Sequence, residues 1–291
     1  MSQLDLFDAH RHTVATPGGA VSYVDIGNGT GAPAVFVHGV GTNALLWGQV
    51  IEAVSGERRC IAIDLPLHGH TPGRADQDFS LGGLASIVGG ACDALALTDI
   101  DLVAHDTGGA IAQIVAARNP DRLRTFTLTN CDTHDNVPPE AFKPTVELAK
   151  SGALAPSAPV LMADLATARD AVFAMGYEDP EFLTLEMVRA FLEPVIGTPE
   201  RALQFERMLS LLEPSDLLAA EPALSKLDVP TLVVWGTGDE FFELRWAYWL
   251  RDTIPGVTDV IEIPGAKLFF PHERGSELAA HLQRHWARLT V

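Results

Sequence analysis

Cysteines, basic side chains and long apolar runs are all scarce in this chain of 291 residues. The three cysteines, Cys60, Cys92 and Cys131, form an odd set with no Cys-x-x-Cys pair, which argues against both a disulfide framework and a zinc site. A reducing, cytoplasmic setting is expected. Lys and Arg number 20 against 38 Asp and Glu, a formal charge of −18, and a field of that sign repels phosphate backbones and anionic membranes. Neither nucleic acid nor a membrane is an expected partner. The first residues hold no basic stretch followed by an apolar one, and no apolar run reaches the roughly 18 residues that a membrane span requires. Internal repeats and low-complexity tracts are missing as well. What is present is a chain 47% hydrophobic and 20% charged, long enough to bury a full core as one large domain or as one domain with an insertion.

The hydrophobic pattern changes twice along the chain. Two short alternating segments near 11–15 and 20–26 meet at Pro17-Gly18-Gly19 and predict a hairpin. Continuous apolar runs follow at Ala34–Val37, Cys60–Ile63, 100–104 and Thr125–Thr129, with helical periodicity between them at 44–54, 81–97 and 108–118. Buried strands alternating with helices imply parallel β/α units. From 133 to 228 no strand pattern occurs, and stretches such as Pro139–Ser151, Ala163–Phe173, Glu181–Phe191 and Pro199–Leu212 predict a helical insertion. Strands return at Thr231–Trp235 and Val257–Ile263, with a last helix near 273–288. The expected division is a core of 1–132 and 229–291 and a helical cap of 133–228.

The most informative stretch is 99–110, where an apolar run stops at Ala104-His105-Asp106-Thr107-Gly108. A strand that reverses into a helix within one residue strains the central backbone and needs small neighbours, and it lifts the central side chain above the sheet edge. Asp106 is that side chain. A carboxylate there can attack saturated carbon, or it can simply cap the helix that follows.

The order of features resembles the α/β-hydrolase fold over almost the whole chain, with a mostly parallel eight-stranded sheet flanked by helices and a helical cap after the sixth strand. His38-Gly39-Val40-Gly41 resembles the family's HGxG loop, Asp64-Leu65-Pro66-Leu67-His68-Gly69-His70-Thr71 its D-x-P-x-x-G-x-S/T segment, and Pro230–Asp239 the strand and loop that deliver its acid. The elbow, His105-Asp106 followed by Gly108-Gly109, resembles that of epoxide hydrolases and haloalkane dehalogenases. The resemblance implies that Asp106 forms an ester with the substrate carbon, which a His-activated water hydrolyses. It also implies that the backbone N–H groups of Val40 and Thr107 form the oxyanion hole and that Asp239, or alternatively Asp132, serves as the acid that orients the histidine.

This chain departs from the family at the base. Pro264-Gly265-Ala266-Lys267-Leu268 places a leucine where the family carries His, and the next imidazole is His272. Either a rearranged loop presents His272 to Asp106, or His272 is a surface residue beside Glu273 and Arg274 and the base has been lost. In the second case Asp106 serves as acid or base in a non-hydrolytic reaction (lyase, isomerase or cyclase), or the protein binds a ligand without turnover. Other departures concern the substrate. Epoxide hydrolases use two cap tyrosines, whereas the insertion holds only Tyr177, with Tyr248 outside it. Dehalogenases commonly carry Trp after the nucleophile, where Thr107 stands, and Gly41 replaces the proline of an HGNP loop.

His38, Gly39, His105, Tyr177 and Leu268 are expected around the substrate pocket, although His38, His105 and His134 equally suit structural roles and His105 should point toward the sheet. Of Phe173, Met175, Tyr177, Phe182, Met187, Phe191, Phe205 and Met208, most are expected to pack and a few to line an apolar crevice. The expected partner is a small apolar molecule, a homodimer stays open beside a monomer, and no cofactor or metal is expected.

Overall fold

The computed structural model describes residues 2–288. Helix α1 (Gln3–Ala9) precedes the hairpin of β1 (Arg11–Thr16) and β2 (Gly19–Ile26). Gly19, at the end of the turn between them, has φ of 124°, a conformation L side chains rarely adopt. Strands and helices then alternate as β3 (Gly31–Val37), α2 (Gly48–Val54), β4 (Arg58–Ile63), α3 (Leu81–Ala94), β5 (Ile100–Asp106), α4 (Thr107–Arg118) and β6 (Leu123–Cys131). Helices α5 (Lys143–Lys150), α6 (Leu154–Ala163), α7 (Leu165–Ala168), α8 (Leu185–Ile196), α9 (Pro199–Ser210) and α10 (Ser215–Leu224) follow without a strand. The chain then runs through β7 (Thr231–Gly236), α11 (Arg245–Thr253), β8 (Val257–Ile263), α12 (Phe270–Glu273) and α13 (Gly275–Ala287).

The eight strands form one sheet in the order β1-β2-β4-β3-β5-β6-β7-β8. β2 is antiparallel to both β1 and β4, and every later pairing is parallel. This is the expected α/β-hydrolase architecture. The central strands are buried almost end to end, with Ala34–Val37 and Cys60–Ile63 at 0% exposure, because helices cover both faces of a parallel sheet. α2 packs against α13 in one group, and α3, α4 and α10 pack together in another. Asp64, the acid of the D-x-P segment, stitches the loops at the strand ends. Its carboxylate accepts from Arg11 Nη1 at 2.5 Å and from the backbone N–H groups of Ala44 and His70 at 3.0 Å each.

Four helices were not anticipated from the pattern: α1, α6, α10 and α11. Prolines hide two of them. α6 carries Pro156 and Pro159, and α10 carries Pro222. Proline in the first turn removes an N–H that has no intrahelical partner anyway, as at Pro156, whereas interior prolines are held by tertiary packing against their propensity. The expected helix over Ala163–Phe173 is broken into α7 and a π turn at Arg169–Phe173. α10 lies against the flank of the sheet domain, where Asp216 Oδ2 accepts the backbone N–H of Gly82 at 2.7 Å. Among the described residues no helix is long and apolar enough to cross a membrane.

Candidate active site

Asp106 ends β5 and immediately precedes α4, with φ of 54° and ψ of −137°. A non-glycine residue in that region is strained by about 1–3 kcal/mol, and its surroundings fix it there. Gly108 permits the turn: a Cβ on it would lie 2.2 Å from the carbonyl oxygen of His38, so the start of α4 rests on the HGxG loop. Gly39 is pressed on Asp106 itself, since a Cβ there would lie 2.1 Å from Asp106 Oδ2 and 2.4 Å from its Cβ. The Asp106 side chain makes no capping bond to α4, so the alternative role of a helix cap is not the one it takes.

The HGxG loop is held by two buried histidines. His38 Nδ1 bonds the carbonyl of Gly39 at 2.7 Å while its Nε2 accepts the N–H of Leu65 at 3.0 Å. His68 bonds the carbonyl of Pro66 through Nδ1 and accepts the N–H of Gly41 through Nε2 at 3.1 Å. An acceptor nitrogen requires the neutral ring. Burial enforces that state, bringing the two imidazoles down to about 4 and about 3.

Above Asp106 lies a cavity of about 280 Å³. Its floor comes from loops at the strand ends, Val40, Asp106, Thr107 and Asp132, and its roof from helical-segment residues that include Phe142, Leu154, Phe173 and Phe205. Crevices outside the carboxyl ends of parallel strands are where α/β sheets hold ligands. Burial raises the Asp106 carboxyl well above the ordinary carboxylate range, and the neighbouring Asp132 raises it further. The backbone N–H groups of Thr107 and Val40 act in the opposite direction, favouring the ionised form.

Asp132 reaches this floor through strand register. Asp106 pairs with Cys131, the last residue of β6, and Asp132 is the residue that follows the strand. Thr107 Oγ1 donates to Asp132 Oδ2 at 2.8 Å, and Gln113 Nε2 holds the Asp132 carbonyl at 2.9 Å. Oδ1 of Asp132 is buried without a hydrogen-bond partner. Burial raises this carboxyl to about 7, against the favourable Thr107 hydroxyl.

Comparison with known proteins agrees with this architecture. The model of the alpha/beta hydrolase fold family matches residues 33–272. The chain belongs to the α/β-hydrolase fold family. A haloalkane dehalogenase of Agrobacterium fabrum is 28% identical over 278 residues, covering 89% of this chain and 86% of the relative. A haloalkane dehalogenase from Agrobacterium tumefaciens superposes with a TM-score of 0.81 at 22% identity, over 96% of this chain and 97% of that one. An alpha/beta hydrolase fold protein from Burkholderia ambifaria gives 0.82 at 20%, over 94% and 97%. The chain is similar to relatives named haloalkane dehalogenase over most of its length.

The position at which the family resemblance implies an imidazole holds Leu268. Leu268 lines the cavity, as does Phe269, and no histidine is among the lining residues described. His272 does not lie on the surface, as one expectation had it, nor does it line the cavity. α12 buries it at 6% exposure against Phe182 and Phe191, and its Nδ1 meets Tyr177 Oη at 2.8 Å. Burial brings the imidazole down to about 4. That bond also takes Tyr177 away from the pocket role expected of it. His105 points into the sheet, bonding the carbonyl and hydroxyl of Thr129, and His38 serves the loop below the floor. Neither lines the cavity, because each ring is committed to backbone or strand contacts.

The hydrogen bonds of Asp239 run to an amide and to the main chain, not to an imidazole. Asn130 Nδ2 donates to its Oδ2 at 2.6 Å and the N–H of Phe241 to its Oδ1 at 2.8 Å, while Asn130 Oδ1 accepts the N–H of Gly236 at 2.7 Å. Burial raises Asp239 to about 6. Asn130 and Gln113 carried no motif in the sequence, and only strand pairing brings them to the site. From the aromatic set of the insertion, Phe173 and Phe205 line the cavity, whereas Met175 and Phe182 are exposed.

Proposed function

We propose that this protein is a hydrolase in which Asp106 attacks a small to medium apolar electrophile, an epoxide or an alkyl halide, and forms a covalent ester that water then cleaves. Segment 133–228 acts as a cap over the core of 1–132 and 229–291, and the N–H groups of Val40 and Thr107 act as the oxyanion hole. The observation that carries this reading is the Asp106 carboxylate on the floor of an apolar cavity, with those two N–H groups favouring its ionised form. Covalent catalysis divides a difficult displacement into two easier steps. Donors fixed beside the carboxylate stabilise the oxyanion of the second step, without reorganising as charge develops. The likeness to relatives named haloalkane dehalogenase supports the same class.

The test is mass spectrometry of the intact protein, quenched during a single turnover with an epoxide and with a haloalkane. An adduct on the peptide that contains Asp106 is expected. After hydrolysis in heavy-oxygen water the label should appear in the Asp106 carboxylate. No adduct with either electrophile, together with unaltered turnover in Asp106→Asn, refutes the reading.

Leu268 at the family's base position favours a second reading, in which Asp106 moves protons in a non-hydrolytic reaction. It predicts no adduct, yet loss of activity in Asp106→Asn. A protein that only binds would be stabilised by its ligand equally in the wild type and in Asp106→Ala.

A further inference from the structure

We infer that Asp132 is a catalytic residue that shuttles one proton, acting as the acid when an epoxide ring opens and as the base when the Asp106 ester is hydrolysed. The inference rests on the Asp106 ester proposed above. It assigns to one carboxyl group the work that the family's resemblance would divide between cap tyrosines and a histidine, none of which lines this cavity.

The geometry is that of a carboxyl half held and half free. Oδ2 of Asp132 is fixed by the Thr107 hydroxyl and its main chain by Gln113, while Oδ1 is buried without a partner and Asp132 shares the cavity floor with Asp106. A buried carboxyl oxygen left unsatisfied is costly, and it is free to exchange a proton with a molecule in the cavity. Two neighbouring buried carboxyls cannot both ionise cheaply, so the pair retains one proton near neutral pH and titrates as a unit. With the proton on Asp132, Asp106 is ionised against its two N–H groups, which is the arrangement that attacks. The other titratable groups that act on the pair are Asp239, which raises Asp106, and Cys131, whose thiol burial pushes well up and so keeps neutral.

The proton count closes without a cofactor. In the first step an Asp106 oxygen bonds to a ring carbon, the carbon–oxygen bond of the ring breaks, and the ring oxygen takes the electron pair and the Asp132 proton. This leaves an ester bearing a hydroxyl beside an ionised Asp132. In the second step Asp132 takes a proton from water as the water oxygen adds to the ester carbonyl. The alkoxide then departs, accepting the proton back from Asp132, and Asp106 is left as the acid. The pair again holds one proton, and epoxide plus water has become a diol. An alkyl halide leaves as halide and takes no proton, so Asp132 has no part in its first step. Epoxides are therefore the substrate class that uses the whole device.

The experiment compares alkylation and ester hydrolysis by rapid quench and intact-mass spectrometry, for wild type and Asp132→Asn, with one epoxide and one haloalkane. Asparagine retains an acceptor for the Thr107 hydroxyl. The expected result in Asp132→Asn is epoxide alkylation slowed by about 10²-fold or more, the usual range of a lost acid–base catalyst. Haloalkane alkylation should be unslowed, with its ester trapped. In the unaltered protein, epoxide alkylation should fall on the alkaline side as the pair loses its last proton, which burial and mutual repulsion hold well above the ordinary carboxylate range, and haloalkane alkylation should not. An Asp106 ester that Asp132→Asn hydrolyses at the wild-type rate overturns the role of Asp132 and leaves Asp106 as the nucleophile. The same pH dependence for both electrophiles in the wild type does likewise. No adduct of either electrophile, in either protein, overturns the ester itself.

Discussion

Gly39→Ala is the smallest change that should separate the position of Asp106 from its presence. The added Cβ would stand 2.1 Å from Asp106 Oδ2, 2.4 Å from its Cβ and 2.5 Å from its Cγ. Ordinary contacts between such atoms begin near 3.5 Å, so the side chain must retreat by about 1 Å or more. Rotation about χ1 cannot relieve the clash, because Cβ itself is in the way and the Asp106 backbone is pinned at φ 54°. Overpacking of this kind costs about 1–3 kcal/mol, which in a chain of this size lowers the melting temperature by roughly 2–10 °C. The catalytic effect should be larger in proportion, since a displacement of about 1 Å from the productive position costs on the order of 10²-fold in rate. Thermal unfolding and the rate of Asp106 alkylation, measured on the same preparation, check both numbers. A variant that melts lower and alkylates at the wild-type rate refutes the argument that Gly39 sets the position of the Asp106 carboxylate.

Three further outcomes follow from the same site. Asp132 is raised on folding from 3.8 to about 7, so its contribution is whole below the unfolded value and is lost as pH rises through about 7. Asp132→Asn should therefore gain stability over the wild type on the alkaline side, by a few kcal/mol at most, as read from denaturant midpoints on the two sides of that pH. His68 is lowered from 6.5 to about 3; stability that depends on its neutral ring is present above the unfolded value and declines as pH falls below it. The acid decline of the wild type should flatten in His68→Gln, and an unchanged slope refutes the role given to the neutral ring. Leu268→His places an imidazole on the cavity wall and should restore hydrolysis of the trapped ester in the Asp132→Asn background. An ester that stays trapped there shows that position 268 is out of reach of the ester carbonyl.

The legibility of this chain divides by the range of the contacts that decide each feature. The sheet was readable because burial on both faces turns its central strands into continuous apolar runs, as at Ala34–Val37. The elbow was readable because the steric demand of the turn falls on immediate neighbours, Ala104 and Gly108. α6 and α10 were not readable, since Pro159 and Pro222 contradict helix propensity and only packing against α8 and α9 or against α3 and α4 holds them in place. The pairing of His272 with Tyr177 joins residues 95 positions apart, and nothing local to Pro271-His272-Glu273 indicates that this imidazole turns inward.

Leu268, standing where the family resemblance implies an imidazole, accounts for the state of the carboxylates around it. In the arrangement implied by the family resemblance, an acid after β7 or after β6 orients an imidazole, and its charge is answered by the imidazolium that forms during the reaction. With Leu268 in that place, no imidazole among the described residues bonds to Asp239 or Asp132, and each carboxyl is met differently. Asp239 is answered on both oxygens by Asn130 and the Phe241 N–H, which makes it part of the scaffold between β6 and β7. Asp132 is answered on one oxygen only, and the other is buried without a partner at the floor of the cavity. A group whose sole role was structural would be expected to have both oxygens satisfied, as Asp239 has, because each unsatisfied buried acceptor costs about 1–3 kcal/mol. The difference between the two carboxyls singles out Asp132 as the one available to a substrate.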